Sequence, residues 1–114
     1  MAELRLYKLH AALCHALANY KRLEIIDTLQ DSEMTVSELA SALKISQPNL
    51  SQHLALMRER GILTSRREGL NVYYRLSNPK VLQAYQLMLE VLAEKLESDA
   101  RLARSEASRI EIQA

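Results

Sequence analysis

Amide, hydroxyl and imidazole side chains are concentrated in one short stretch of this 114-residue chain. The polar residues of this stretch are Ser46, Gln47, Asn49, Ser51, Gln52 and His53. Side chains of these types both donate and accept hydrogen bonds, as readout of base edges in the major groove of DNA requires. No acidic residue occurs between Gln47 and Arg58. A solvated helix surface has the same polarity, so the stretch alone leaves both interpretations open.

A basic hairpin is predicted directly after this stretch. Residues 44–75 contain six basic and two acidic residues, a net charge of +4, although the whole chain carries only +1. Arginines on a hairpin can follow the phosphates of a duplex or enter its minor groove. We therefore expect Arg66 and Arg67 to bind double-stranded DNA together with the polar stretch.

A separate candidate site lies near the N-terminus, where His10 and Cys14 are four residues apart and share one helix face. Three interpretations are open. Cys14 can pack as a small apolar residue at a subunit interface, its thiol can respond to oxidation, or the pair can ligate a metal ion with a residue of a second subunit. Packing is favoured, and we predict neither a resident metal nor a cofactor.

Composition excludes several functional classes. Apolar residues make up 48% of the chain, which is typical of one globular domain, residues 1–114. A single cysteine and the absence of a long apolar segment predict a cytoplasmic protein without a membrane partner. No nucleophile stands at a useful spacing from a base, and no glycine-rich phosphate loop occurs, so no enzyme is predicted.

Apolar spacing predicts two helices at the N-terminus. The first covers residues 3–18, and the second begins after the N-cap Asn19 and runs from residue 20 to 30. In the second helix, we expect the buried stripe to contain Leu23, Ile26 and Leu29. Lys21 and Arg22 are expected on its exposed face.

Two further helices carry strong start signals. Thr35 and Glu38 form a capping box for a short helix, and Ser46 with Pro48 starts a fourth helix that runs to Arg60. Its expected buried residues are Leu50, Leu54 and Met57. The outer face of the fourth helix then contains Gln47, Asn49, Gln52 and His53.

The last third combines a hairpin with a long helix. Strands at residues 63–67 and 72–76 are joined by a turn in which Gly69 and Asn71 are expected to take positive φ. Alternation prevents Tyr73 and Tyr74 from both being buried, so one is expected to pack on the core and the other to face DNA. After Pro79 a helix of residues 79–110 is predicted. The fold class is mainly α with a small β-hairpin wing.

These motifs resemble the ArsR/SmtB family of winged helix-turn-helix regulators. The resemblance covers most of the chain and rests on residues 18–26, 36–43, 45–54, 60–63 and 72–76. It implies the order α1-α2-α3-α4-β1-β2-α5 and a homodimer paired through residues 3–18 and 79–110. It also places the polar stretch in a recognition helix, with Gln47, Asn49, Ser51 and Gln52 approaching bases. It implies that Arg66, Arg67 and Asn71 lie in the DNA-binding wing, where the arginines hold phosphates.

The sequence departs from the metal-sensing members of this family. Thr35 and Ser37 stand where the family has a pair of thiolate ligands, and no histidine follows His53 to complete a site on the last helix. The role of His53 stays open between a contact to the DNA backbone and helix packing. The sequence therefore predicts a homodimeric repressor that binds an inverted repeat, responsive to a redox or other signal. The alternative is a winged-helix protein-interaction or scaffold dimer without specific DNA binding.

Overall fold

A computed structural model of the chain describes the backbone of residues 2–113 and the side chains of residues 3–109. The elements, in order, are α1 (Ala2–Leu17), α2 (Tyr20–Leu29), β1 (Met34–Thr35), α3 (Val36–Leu43), α4 (Gln47–Glu59), β2 (Leu63–Glu68), β3 (Asn71–Leu76) and α5 (Pro79–Gln113). The predicted order of five helices with a hairpin before the last helix is confirmed. The strand β1 was not predicted.

The second helix starts as the sequence indicates but buries a different face. The side chain of Asn19 accepts hydrogen bonds from the backbone N–H groups of Lys21 and Arg22 at 2.9 and 3.2 Å, which satisfies two donors at the helix start. The predicted exposure of Arg22 is wrong, because its side chain is only 8% exposed. The prediction that Leu23 is buried is also wrong, since Ile25 lies in the core and Leu23 is 36% exposed.

The hydrophobic core is built mainly from α2, α3, α4 and the start of β2. The largest fully buried side chains are Ile25, Ile26, Leu29, Leu39, Leu50, Leu54, Met57 and Ile62. The expected buried stripe of α4 is thereby confirmed. Because the apolar residues of α4 recur at i, i+4 and i+7, its polar residues face away from this core.

The sheet has three strands in the order β1-β3-β2, not the two strands that the sequence predicted. All pairs are antiparallel, and β1 adds Met34 opposite Tyr74 and Thr35 opposite Tyr73. Tyr73 and Tyr74 are both half-buried, so neither belongs fully to the core. The two-residue β1 is too short for an alternating pattern to reveal it.

A two-residue turn joins β2 to β3. Gly69 has φ of +62°, as expected for the first central residue of a type II′ hairpin turn. The positive φ expected for Asn71 is wrong, because Asn71 already belongs to β3 and pairs with Glu68. Among residues 2–113 the non-glycine residues with positive φ are Gln30 and Lys44.

The chain divides into two compact units, Met1–Gln83 and Ala84–Ala114. The single domain predicted over 1–114 stays a prediction, and its residues 1 and 114 lie outside the described residues. α5 continues to Gln113, beyond the expected end at residue 110. None of the helices within residues 2–113 has the length and apolar content needed to cross a membrane.

Candidate nucleic-acid interface

Helices α3 and α4 are joined by a connector of three residues, which makes a helix-turn-helix. The Thr35 hydroxyl accepts from the backbone N–H of Glu38 at 3.2 Å, and the Glu38 carboxylate accepts from the backbone of Thr35, so the predicted capping box is confirmed. Lys44 ends α3 in the left-handed region, with φ of 53° and ψ of 48°. The Ser46 hydroxyl then accepts from the N–H of Asn49 at 3.4 Å and starts α4.

The outer face of α4 is polar and open to solvent. Ser46, Gln47, Asn49, Ser51 and Gln52 are all exposed. The side chain of Gln47 donates to the hydroxyl of Ser37 on α3 at 3.2 Å. Within the described part of the chain, the side chains of Asn49, Ser51 and Gln52 have no hydrogen-bond partner and can bond to a ligand.

His53 differs from its neighbours because it is half-buried and contacts α2. The guanidinium of Arg22 approaches His53 Nδ1 from Nη1 at 3.5 Å. Arginine can only donate, so this contact requires a neutral imidazole with an acceptor at Nδ1. Burial lowers the pKa of His53, and the positive charges of Arg22 and Lys21 lower it further. The contact fits the packing role that the sequence left open, and it leaves Nε2 as the donor.

The wing places its arginines on opposite faces of the sheet. Arg66 pairs with Tyr73, and Arg67 pairs with Val72, at consecutive positions of the β2–β3 ladder. Because side chains alternate along a strand, Arg66 and Arg67 point in opposite directions. Both are exposed, as is Asn71. Arg67 forms no ion pair with any side chain of residues 3–109.

The guanidinium of Arg66 already contacts other side chains of the same chain. Its Nε lies 3.0 Å from both carboxylate oxygens of Glu33, and its Nη1 donates to Glu68 at 2.8 Å. The guanidinium also lies 4.6 Å from the centre of the Tyr73 ring. The hydrogen bond from Arg66 holds the pKa of Glu33 below its usual value. The two carboxylates raise the pKa of Arg66, which stays charged.

The predicted sensing residues lie on the exposed surface of α1. His10 and Cys14 are both exposed, and the Cys14 thiol is free. Across the described residues, no three side chains of His, Cys, Asp or Glu converge on one point. The packing, redox and metal interpretations of this pair remain predictions.

Two structural residues were missed by the sequence analysis. Arg22 was placed on the surface, although it stands three, four and seven residues before Ile25, Ile26 and Leu29, the spacing of a buried stripe. Glu33 was not singled out, and its partner Arg66 is 33 residues away. No local pattern could have revealed that pair.

The helix-turn-helix and the hairpin that follows it define this chain as a winged helix-turn-helix protein. Residues 19–65 match the family described as bacterial regulatory protein, arsR family. The transcriptional activator HlyU of Vibrio cholerae is 43% identical over 76 residues, which are 67% of this chain and 70% of that protein. The biofilm growth-associated repressor of Agrobacterium fabrum is 38% identical over 81 residues, 71% of this chain and 69% of that protein.

The solved structures that are similar to this chain are of the same kind of protein as these relatives. The structure of reduced HlyU from Vibrio cholerae has a TM-score of 0.70 at 37% identity and covers 79% of this chain and 95% of its own. A homodimeric winged helix-turn-helix DNA-binding domain from Mycobacterium bovis has a TM-score of 0.78 at 32% identity, covering 84% of this chain and 89% of its own. The chain belongs to the ArsR family of transcriptional regulators, and the resemblance inferred from the sequence is confirmed.

Proposed function

We propose that this chain is a sequence-specific DNA-binding regulator that represses transcription by occupying a promoter. The observation that carries the proposal is the exposed polar face of α4, on which Asn49, Ser51 and Gln52 have no hydrogen-bond partner within the described residues. An α-helix fits the major groove, and amide and hydroxyl groups are suited to base edges. Gln47 is also available to bases once its hydrogen bond to Ser37 is broken. In the wing, Arg67 has an unneutralised charge for a phosphate.

We propose further that the active form is a homodimer, paired through the first and last helices. Large apolar side chains are exposed on both, namely Leu4, Leu6, Tyr7, Leu9 and Leu13 on α1 and Leu87, Met88, Leu89, Val91, Leu92, Leu96 and Leu102 on α5. Apolar surface of this extent is typical of a subunit interface. The related domain from Mycobacterium bovis is described as homodimeric. A two-fold dimer presents two recognition helices, so its operator is an inverted repeat.

Relatives of the chain include a named activator and a named repressor. For either mode of regulation, we propose that the protein acts on DNA in the cytoplasm. We favour repression because a dimer that occupies a promoter acts most simply by excluding polymerase. No catalytic step is part of this function. The alternative is that the same scaffold binds another protein through α4 and the wing.

Fluorescence-anisotropy titration separates these possibilities. The purified protein is titrated with DNA from upstream of its own gene and with scrambled DNA, at several salt concentrations. We expect selective binding whose affinity falls steeply with salt, because phosphate contacts release counterions. Binding that is weak, unselective and insensitive to salt would instead favour the protein-interaction function.

The same titration tests the role of Cys14, the one cysteine of the chain. It is repeated after the reductant is removed, with Cys14→Ser as the matched control. Loss of DNA binding in the parent protein but not in the variant would make Cys14 a redox-responsive residue. Equal binding in both conditions would leave it as a packing residue.

A further inference from the structure

The contacts of Arg66 cross the whole wing sheet. Arg66 lies on β2, and Glu33 directly precedes β1, so the two residues stand on opposite sides of the central strand β3. Tyr73 lies on β3, and the centre of its ring is 4.6 Å from the guanidinium. Tyr73 is also the pairing partner of both Arg66 and Thr35. The guanidinium thus connects the two outer strands across the middle one.

The contacts of Arg66 also neutralise its positive charge. The side chains of Arg66, Glu33 and Glu68 carry one positive and two negative charges, and the carboxylate oxygens lie 2.8 to 3.0 Å from Nε and Nη1 of Arg66. A guanidinium neutralised in this way releases few counterions from DNA when it approaches a phosphate. If Arg66 left its partners to bind a phosphate, both carboxylates would face the DNA unpaired.

Glu33 lies close to the start of the helix-turn-helix. Glu33 is followed by Met34 and then by Thr35, whose hydroxyl caps α3. The N-cap of the first helix of the helix-turn-helix therefore lies two residues beyond Glu33, the residue that contacts Arg66, and the helix itself begins one residue later, at Val36. A side-chain bond between Glu33 and the wing fixes the direction of the hairpin relative to the start of α3.

We propose that Arg66 is a positioning residue for DNA binding, which holds the wing against the segment before α3 through Glu33, and that Arg67 supplies the phosphate contact. This inference rests on the proposed DNA-binding function. Arg66 and Arg67 thus have different roles, although the sequence alone gives no reason to distinguish these adjacent arginines. The wing then presents one free cation to DNA per subunit on its β2 strand.

The test is the salt dependence of DNA affinity in six proteins, namely the parent chain, Arg66→Gln, Arg67→Gln, Glu33→Ala, Asp31→Ala and the double variant that combines Arg66→Gln with Glu33→Ala. Asp31 is the matched control for Glu33, because it is an exposed carboxylate in the same connector and forms no ion pair within residues 3–109. Circular dichroism confirms that each variant is folded before DNA is added.

We expect Arg67→Gln to lower the slope of log affinity against log salt by about one unit per subunit, since one phosphate contact is lost. Arg66→Gln and Glu33→Ala should each weaken binding by about three- to tenfold and leave the slope unchanged. Their double variant should bind no more weakly than either single variant, because both remove the same connection. Asp31→Ala should bind as well as the parent chain or slightly better.

Two results would overturn the proposal. The first is a slope for Arg66→Gln that falls as much as the slope for Arg67→Gln, which would make Arg66 a phosphate contact. The second is tighter binding by Glu33→Ala, as expected if Glu33 only withholds the charge of Arg66 from DNA. If the parent chain shows no salt-dependent binding to DNA, the proposed function itself is rejected. This outcome differs from the two results above, which concern only the role of Arg66.

Hydrogen exchange of the wing amides provides a readout without DNA. Arg66→Gln and Glu33→Ala should accelerate exchange in β2 and β3, whereas Arg67→Gln and Asp31→Ala should not. Equal exchange rates in the parent chain and the four single variants would show that the contact does not order the wing, and would overturn the positioning role even if DNA binding is intact.

Discussion

The guanidinium of Arg22 donates from Nε to the main-chain oxygen of Ala16 at 2.6 Å. Its Nη2 donates to the main-chain oxygen of His15 at 3.2 Å. These are carbonyl groups in the last turn of α1, where a helix has no intrahelical donors left and carries a partial negative charge. A buried cation thus satisfies the end of one helix from the first turn of the next.

Replacing Arg22 should destabilise the protein strongly. In Arg22→Met, the carbonyl groups of His15 and Ala16 lose charge-assisted hydrogen bonds, and we expect the free energy of unfolding to fall by about 2–4 kcal/mol. Urea denaturation at one fixed protein concentration measures this change. Lys21→Met is the matched control and should cost under about 1 kcal/mol, because its ion pair with Glu24 is long, at 3.4 Å, and only partly buried. Equal losses in both variants would contradict the account.

The stability of the protein should decrease in mildly acidic solution because of His53. Burial and the charges of Arg22 and Lys21 hold the pKa of His53 below its ordinary value of 6.5. The unfolded chain therefore binds this proton more tightly than the folded chain. The contribution of His53 to stability is complete above pH 6.5 and is lost as the pH falls toward the lowered folded value.

Urea denaturation between pH 5 and 8 measures this dependence, and the variant His53→Gln provides the comparison. We expect the parent chain to lose more stability on acidification than the variant, which has no group that titrates at this position. Parallel curves for the two proteins would show that the environment of His53 does not disfavour its charged form.

The end of α2 contains a residue in an unfavourable backbone conformation. Gln30 has φ of 49° and ψ of −118°, a region that glycine adopts and other residues rarely do. Gln30→Gly should therefore raise the free energy of unfolding by about 0.5–1 kcal/mol, after the larger entropy loss of glycine is included. Gln86→Gly, in the exposed part of α5, should lower it by about 1 kcal/mol. Destabilisation by Gln30→Gly would contradict this interpretation.

The elements of the helix-turn-helix could be predicted because their signals are local. The capping box at Thr35, the N-cap at Ser46 and the apolar stripe of α4 each lie within a few consecutive residues. The missed features depend on distant partners. Met34 and Thr35 become a strand only by pairing with β3, and Glu33 gains its role from Arg66, which no nearby residue indicates. Arg22 was misplaced because a charged side chain favours the surface, although its spacing matches the buried stripe of α2.

The proposed dimer should depend on the exposed leucines of α5. Leu92→Glu places a charge on a side chain that is 51% exposed in the single chain. If the dimer covers it, we expect the dimer dissociation constant to rise at least about tenfold, the equivalent of about 1.4 kcal/mol. Analytical ultracentrifugation measures this constant. Leu70→Glu at the wing turn is the control and should leave the dimer dissociation constant unchanged. If Leu70→Glu raised this constant as much as Leu92→Glu does, the interface would lie elsewhere.

The exposed face of α4 should determine which DNA is bound. Gln47→Ala and Asn49→Ala should each reduce the discrimination between operator and random DNA by about 1–3 kcal/mol per lost base contact. Arg67→Ala should weaken binding to both DNAs to a similar degree. Anisotropy titrations with the two DNAs measure this difference. Equal losses on both DNAs for all three variants would show that α4 does not read bases.

The most direct test of the central claim is a selection of binding sites from a pool of random duplex DNA by the purified protein. We expect enrichment of one imperfect inverted repeat, with half-sites centred about one duplex turn apart or slightly more. A variant with Gln47 and Asn49 both replaced by alanine should no longer enrich that repeat. Failure of the parent protein to enrich any sequence, at low salt and in the presence of reductant, would contradict the claim that this chain is a sequence-specific DNA-binding regulator.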